Sequence, residues 1–144
     1  PIAMELPQKV VVEITESIAM ADPDRTQKIL TELRAWGVQL AIDDFGTGYS
    51  SLSYLKLFPI DTLKIDRSFV KDLPGDKQDM AISRAIIALA ETLELYVVAE
   101  GVEFEPSLRL LKQWNCDTAQ GYLISRPLNA MAFEMWMRRD RSTV

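Results

Sequence analysis

The chain has 144 residues, of which 48% are apolar and 26% charged, with a formal net charge of −5 and no histidine. This length and composition predict one folded domain with one core. The lack of histidine excludes Ser-His-Asp and Cys-His catalysis within the chain. The acidic balance disfavours nucleic acid as a partner. With a single cysteine a zinc site is also disfavoured, so any metal is expected among oxygen ligands, as for Mg²⁺, Mn²⁺ or Ca²⁺.

The compartment is inferred from the cysteine count and from the hydrophobic pattern. Cys116 has no second cysteine to pair with, which agrees with a reducing compartment. No apolar run approaches the ~20 residues of a membrane helix. Residues 1–9 lack the basic start and apolar stretch of a signal peptide. We therefore expect a cytoplasmic protein with no membrane segment in this chain.

The first predicted elements are a strand and a helix. A β-branched run at 10–14 predicts a buried strand. Asp22 followed by Pro23 is typical of a helix start, because an acidic cap and a proline in the first turn both favour it. Apolar residues then recur at helical spacing as far as Trp36, and Gly37 is expected to end the helix.

The next elements repeat this order around a turn-rich loop. A second strand is predicted over 38–42, followed by a loop over 43–51 that is rich in turn-forming residues. A short helix is expected over 52–58. A third strand is predicted over 62–65.

The rest of the chain continues the alternation. We predict a helix over 80–95, a strand over 96–99, a helix opening at Glu105, a strand over 118–120 and a helix over 131–137. Strands that alternate with helices indicate a parallel sheet, and continuous apolar strands indicate that helices cover it.

Every predicted strand carries polar residues at its end. They are Glu13, Asp43, Asp44, Lys64 with Asp66 just after it, Glu100 and Gln120. Because the carboxyl ends of parallel strands lie on one face, where active sites are built, we expect these residues to meet at one rim. Divalent cations would relieve the repulsion among the carboxylates, and two ions sharing a carboxylate hold both reacting oxygens of a phosphate ester.

Several of these residues also have plainer interpretations. The pair Asp43-Asp44 fits a turn as well as a site, and neighbours on a strand tend to point to opposite faces. Glu16 equally fits the start of a turn, and Lys64 fits a lysine that extends its charge to water. We interpret three further acids as helix caps or turn formers, namely Asp22, Asp76 and Glu105.

Five motifs in the chain resemble those of the EAL domain family, and they come in the family's order. They are Glu13-Ile-Thr-Glu16-Ser17, Asp43-Asp44-Phe-Gly-Thr-Gly-Tyr-Ser-Ser-Leu52, Leu63-Lys64-Ile-Asp66, Val98-Ala-Glu100-Gly-Val-Glu103, and Ala119-Gln120-Gly-Tyr122 with Ser125-Arg-Pro127. The resemblance covers residues 10–136 of a single domain, 1–144, with 137–144 as a tail. It implies an α/β fold, a parallel (β/α) barrel of TIM type, of which the chain holds about five β/α units.

The resemblance also implies a reaction, the hydrolysis of cyclic di-GMP to linear pGpG with Mg²⁺ or Mn²⁺. It implies that Glu13 and Asp43 are metal ligands, with Asp43 shared between two ions. Asp44 would serve the second ion or its water. Lys64 would contact the attacking water or the phosphate. Glu100 would belong to the second metal's environment or act as a base.

The remaining motif residues are given supporting roles by the same resemblance. Glu16 would fix the loop after the second strand. Glu103 and Gln120 would lie near the substrate. Asp66 matches the motif without an assigned role.

The chain lacks the Glu-Ala-Leu signature and the Asn-bearing strand that precede these motifs in the family. Because such a barrel takes ~250 residues, about three N-terminal strands are missing, and exposed strand edges are expected. We expect self-association or association with an upstream regulatory or sensory domain. We also expect weak or no hydrolysis by these 144 residues alone. The alternative is a catalytically incompetent module that binds cyclic di-GMP or a protein.

Overall fold

A computed structural model describes residues 10–48 and 52–139, and its central feature is a sheet of five parallel strands. The strands are β1 (Val11–Thr15), β2 (Gln39–Phe45), β3 (Thr62–Ile65), β4 (Tyr96–Glu100) and β5 (Thr118–Gln120). They lie in sequence order, and each is parallel to the next. The predicted parallel β/α alternation is confirmed.

Six helices connect or flank these strands. They are α1 (Glu16–Ala21), α2 (Pro23–Ala35), α3 (Leu52–Leu55), α4 (Lys77–Thr92), α5 (Glu105–Gln113) and α6 (Ala130–Arg139), with a short 3-10 helix at Arg67–Phe69. None of the helices within the described ranges has the length and apolar character needed to cross a bilayer. Residues 1–9, 49–51 and 140–144 lie outside the described residues, so what we predict for them stays a prediction.

One face of the sheet forms the core against the helices. Alternate side chains such as Leu40 and Ile42 of β2 and Leu63 of β3 are fully buried there. They pack in one cluster with helix residues that include Leu30 and Ile86. Because side chains alternate along a strand, the opposite face is left to the polar residues that the site requires.

The helix starts that the sequence marks most clearly are confirmed. The Asp22 side chain caps α2 by accepting a hydrogen bond from the Arg25 backbone N–H, and Pro23 is the first helical residue. Gly37 follows the helix with φ +82°, a conformation that favours glycine. Asp76 caps α4, which therefore begins at residue 77, three residues before the predicted start.

Four local features differ from what the sequence suggests. Helix α5 begins at Glu105 as predicted, but Glu105 is its first residue rather than its cap. Trp36 is 71% exposed although it continues the apolar spacing of α2. The strand predicted as buried, β1, is half-exposed because it has one neighbour, β2, among the described residues. Helix α6 reaches Arg139, so residues 137–139 are helical and not part of a tail.

Two further differences change the surroundings of the candidate site. Glu16 begins helix α1, which the sequence did not reveal because no side chain caps its start at Thr15. Strand β2 continues to Phe45, so Asp43 and Asp44 lie on a strand and not in a loop. The register to β3 shifts between Ile42 and Phe45, which marks a bulge at the end of β2.

Candidate active site

Three carboxylates from three different strands meet around one buried lysine. The Lys64 Nζ atom of β3 lies 2.8 Å from Glu13 Oε2, 3.2 Å from Asp43 Oδ1 and 2.7 Å from Glu100 Oε1. These residues are up to 87 positions apart in the chain, between Glu13 and Glu100. The parallel order of β1 to β4 brings them together at one rim, as the strand ends predicted.

The Lys64 ammonium is a fixed positive charge in this cluster. Burial lowers its pKa, but hydrogen bonds to Glu100 and Glu13 and the charge of Asp43 outweigh burial and raise the pKa above its ordinary value of 10.5. The ammonium charge on which these ion pairs depend is therefore fully present below pH 10.5, and the stabilisation it contributes is lost as the pH rises through the raised pKa. Because Lys64 is 7% exposed, the interpretation that it extends its charge to water is wrong.

Asp44 points to a different partner from its neighbour Asp43. Asp44 lies in the bulge with φ +54°, and its carboxyl is hydrogen-bonded to Asp66. Burial raises the pKa of Asp44, and the charges of Asp43 and Asp66 raise it further. Burial acts in the same direction on Asp66, but hydrogen bonds from Ser68 and from the Arg67 backbone outweigh it and lower the pKa of Asp66. The two shifts have opposite directions, so Asp44 takes up a proton before Asp66 as the pH falls.

Asp66 also has a structural task. Its side chain accepts hydrogen bonds from the backbone N–H and the hydroxyl of Ser68, and so caps the 3-10 helix. The residue that resemblance left without a role thus holds both the chain after β3 and the carboxyl of Asp44.

Glu16 anchors the loop after β2 from inside the protein. Its side chain is fully buried, and Oε2 accepts hydrogen bonds from the backbone N–H groups of Gly46 at 2.9 Å and Gly48 at 3.1 Å. The turn interpretation of Glu16 is wrong, since the residue lies in α1. The contacts are those expected of a residue that fixes this loop, which begins after Phe45, two residues beyond Asp43.

The polar face of the sheet forms a cleft of about 490 Å³. All five strands line this cleft, together with Asp61, which directly precedes β3. The lining residues are Val11, Glu13, Gln39, Ala41, Asp61, Thr62, Lys64, Tyr96, Val98, Thr118 and Gln120. Two members of the Lys64 cluster, Glu13 and Lys64 itself, line this cleft.

Comparison with known proteins establishes the family of this chain. The profile of the EAL domain matches residues 3–127. The chain belongs to the EAL domain family. Cyclic di-GMP phosphodiesterase NbdA of Pseudomonas aeruginosa is 52% identical over 130 residues, which are 90% of this chain and 17% of NbdA. The chain therefore spans less than a fifth of this relative's length.

Solved EAL structures share the fold. The phosphodiesterase MucR of P. aeruginosa, in complex with cyclic di-GMP, matches with a TM-score of 0.83 and 50% identity over 85% of this chain and 50% of that chain. BlrP1 of Klebsiella pneumoniae, in a manganese and cyclic di-GMP complex, matches with a TM-score of 0.75 and 40% identity. The match covers 82% of this chain and 30% of that chain. The parallel α/β fold of TIM-barrel type, with about five β/α units here, is therefore established.

The EAL site of this chain has a donor set that fits a hard divalent cation. Glu13, Asp43 and Glu100 offer only carboxylate oxygens, the donors that Mg²⁺, Mn²⁺ and Ca²⁺ prefer. All three reach one nitrogen within 3.2 Å, so each pair of oxygens is separated by no more than twice that distance. Within residues 10–48 and 52–139 no three acidic side chains are already arranged as a ligand set, and Glu13, Asp43 and Glu100 instead contact the ammonium of Lys64.

Glu103 and Gln120 lie beside the Lys64 cluster rather than in it. Both line a cavity of about 180 Å³ that also includes Glu100 and Tyr122. Glu103 is paired with Arg67, whose Nη2 lies 2.6 Å from Glu103 Oε1. Sequence reasoning missed Arg67, although its position directly after the Leu63–Asp66 motif is a signal that it lies at the same rim.

Proposed function

We propose that this EAL domain hydrolyses cyclic di-GMP to linear pGpG with Mg²⁺ or Mn²⁺. The observation that supports this most directly is the convergence of Glu13, Asp43 and Glu100 on the buried ammonium of Lys64. A phosphodiester is an anion that needs both positive charge and an activated water, and this cluster has the groups to supply both.

The carboxylates would hold the ions. Glu13 and Asp43 would bind one cation, and Asp43, Asp44 and Glu100 the second. Bound ions would supply positive charge at the phosphate and make a bound water more acidic. To bind a cation, the Asp44 carboxylate would exchange its hydrogen bond with Asp66 for the metal, which would also relieve its repulsion by the charges of Asp43 and Asp66.

Lys64 would act as a hydrogen-bond donor. Because its pKa is raised, the ammonium is charged at every physiological pH and cannot serve as the base. Its protons can instead be donated to a phosphate oxygen or to the oxygen of the attacking water. Glu100, hydrogen-bonded to Lys64 and 21% exposed, is the carboxylate in the cluster that we assign as base. Glu103 and Gln120 would contact the substrate.

A second candidate function is binding of cyclic di-GMP without turnover. It is favoured by one observation, namely that Lys64 already contacts all three carboxylates and neutralises part of their charge without a metal. In that case the cleft would hold the ligand while the carboxylates stayed paired with Lys64.

Hydrolysis is tested by chromatography of cyclic di-GMP incubated with Mn²⁺ and the protein that carries this domain. We expect pGpG to form at roughly 1 s⁻¹ or faster. Glu100→Ala should lower the rate about 100-fold, since it removes the proposed base and a metal ligand. The exposed Glu91→Ala on α4 is the matched control and should retain the rate. Absence of pGpG above the Glu100→Ala level would refute hydrolysis, and calorimetric binding without product would support the second candidate.

The partners beyond the nucleotide are also proposals. Strands β1 and β5 each have one neighbour among the described residues. Their free backbone groups suit pairing with another strand, which supports association with a second copy or with another part of the protein. The cytoplasmic location stays a prediction.

A further inference from the structure

The side chain of Arg67 passes over Gly101 on its way to Glu103, and a larger residue at position 101 would displace it. Gly101 has φ +72°, and a Cβ atom there would lie 2.2 Å from Arg67 Cγ and 2.8 Å from Arg67 Cδ. The aliphatic part of Arg67 therefore rests directly on the Gly101 backbone, and its guanidinium reaches Glu103 at 2.6 Å. This contact joins the chain after β3 to the chain after β4.

The chain after β4 is tied to β5 as well. The Val102 backbone N–H donates a hydrogen bond to the Gln120 carbonyl at 3.0 Å, and the Leu123 N–H donates to the Val102 carbonyl at 3.1 Å. Glu103 is thus held from one side by Arg67 and from the other by its neighbour Val102. Arg67, Glu100, Glu103 and Gln120 then share the wall of the 180 Å³ cavity.

We propose that Arg67 is a positioning residue that holds the Glu103 carboxylate toward the substrate, beside Glu100 and Gln120. This rests on the proposed function, in which Glu103 contacts cyclic di-GMP. Arg67 acts through Glu103, and its own side chain is 57% exposed. An exposed pair contributes little to folding, so the effect of losing it should fall on substrate binding rather than on stability.

The test is the steady-state hydrolysis of cyclic di-GMP by the protein that carries this domain, with Mn²⁺. Arg67→Ala should raise KM about fivefold, the upper end for an exposed ion pair, and change kcat less than about twofold. Arg67→Lys should recover part of the loss, because an ammonium makes one of the bonds to Glu103 but lacks the planar fork.

The matched control removes an exposed ion pair elsewhere. Lys71 Nζ lies 3.7 Å from Asp72 Oδ2, and neither residue lines the cleft or the 180 Å³ cavity. Lys71→Ala should leave both KM and kcat unchanged. A purely structural role for Arg67 predicts instead that Arg67→Ala lowers the midpoint of thermal unfolding, Tm, while KM stays the same, and that result would overturn the proposal.

A double variant shows whether Arg67 acts through Glu103. If it does, Arg67→Ala combined with Glu103→Gln should have the KM of Glu103→Gln alone. If the KM increases of the two single substitutions multiply in the double variant, the proposal is overturned. If the wild-type protein shows no turnover, the proposed hydrolysis has failed, and the same variants are compared by the calorimetric Kd for cyclic di-GMP. An unchanged Kd in Arg67→Ala would then contradict the positioning role separately.

Discussion

Replacing Lys64 by methionine should slow hydrolysis severely and destabilise the domain. The substitution keeps the length of the side chain but removes the positive charge that lies between Glu13, Asp43 and Glu100. Loss of a donor aimed at the reacting phosphate typically costs 10²–10³ in rate, and we expect a loss of about 10³. Breaking a buried ion pair costs about 3–5 kcal/mol, and partial exposure of the carboxylates reduces this to about 2–4 kcal/mol.

The same substitution should make the stability depend on divalent cations. In the wild-type protein the ammonium competes with a cation for the same oxygens, and in Lys64→Met this competition is gone. Added Mn²⁺ should therefore raise the Tm of Lys64→Met more than that of the wild type. The control is Lys112→Met, at an exposed position on α5. A Tm of Lys64→Met in metal-free buffer equal to that of Lys112→Met would contradict the cluster as described.

Gly121→Ala should disrupt the junction between β4 and β5. A Cβ at this position would lie 2.2 Å from the carbonyl oxygen of Val102 and 2.4 Å from its nitrogen. Both atoms are backbone and cannot turn away, so the two chains must separate and the hydrogen bonds of Val102 with Gln120 and Leu123 are lost. Overpacking and two broken hydrogen bonds together correspond to about 3–5 kcal/mol.

Hydrogen exchange of the Val102 and Leu123 amides measures this locally. We expect exchange at least about 100-fold faster in Gly121→Ala than in the wild type, because the opening free energy falls. Gly37→Ala is the control: Gly37 has φ +82° but no atom within 4 Å of an added Cβ. It should cost only the backbone strain, about 1 kcal/mol, and leave these two amides unaffected. Equal exchange rates in the two variants would show that the Val102 backbone is not packed against Gly121 closely enough to exclude a Cβ atom.

The sequence was most informative where one residue type has one physical explanation. Asp22 before Pro23 predicts a helix start, because each satisfies or removes an unpaired backbone N–H. The strand ends were predictable for a different reason. Parallel connectivity forces the carboxyl ends of all strands onto one rim, so Glu13, Asp43 and Glu100 were expected to meet before any distance was known.

The separate directions of Asp43 and Asp44 could not be predicted from alternation alone. A regular strand would have turned Asp44 toward the helices, but the bulge after Ile42 and the positive φ of Asp44 direct it to Asp66. Such a bulge depends on register with the neighbouring strand, which is a tertiary property. The exposure of Trp36 is also a tertiary property. Helical spacing identifies the apolar face of α2 but does not show whether another element packs against the end of that face.

Arg67 was missed because its task depends on another loop. Nothing in its own surroundings along the chain shows that Gly101 leaves room for its side chain or that Glu103 lies within reach. The contact joins residues 36 positions apart across the ends of two strands. Positioning residues of this kind become visible only when the strand ends are assembled.

Manganese binding tests most directly whether the carboxylates around Lys64 form one metal centre. Free Mn²⁺ can be followed by electron paramagnetic resonance while the protein that carries this domain is titrated in the presence of cyclic di-GMP. Asp43→Asn should weaken Mn²⁺ binding at least about tenfold, whereas Asp24→Asn, at an exposed position on α2, should bind as the wild type does. Wild-type affinity in Asp43→Asn would contradict a shared metal centre at these strand ends.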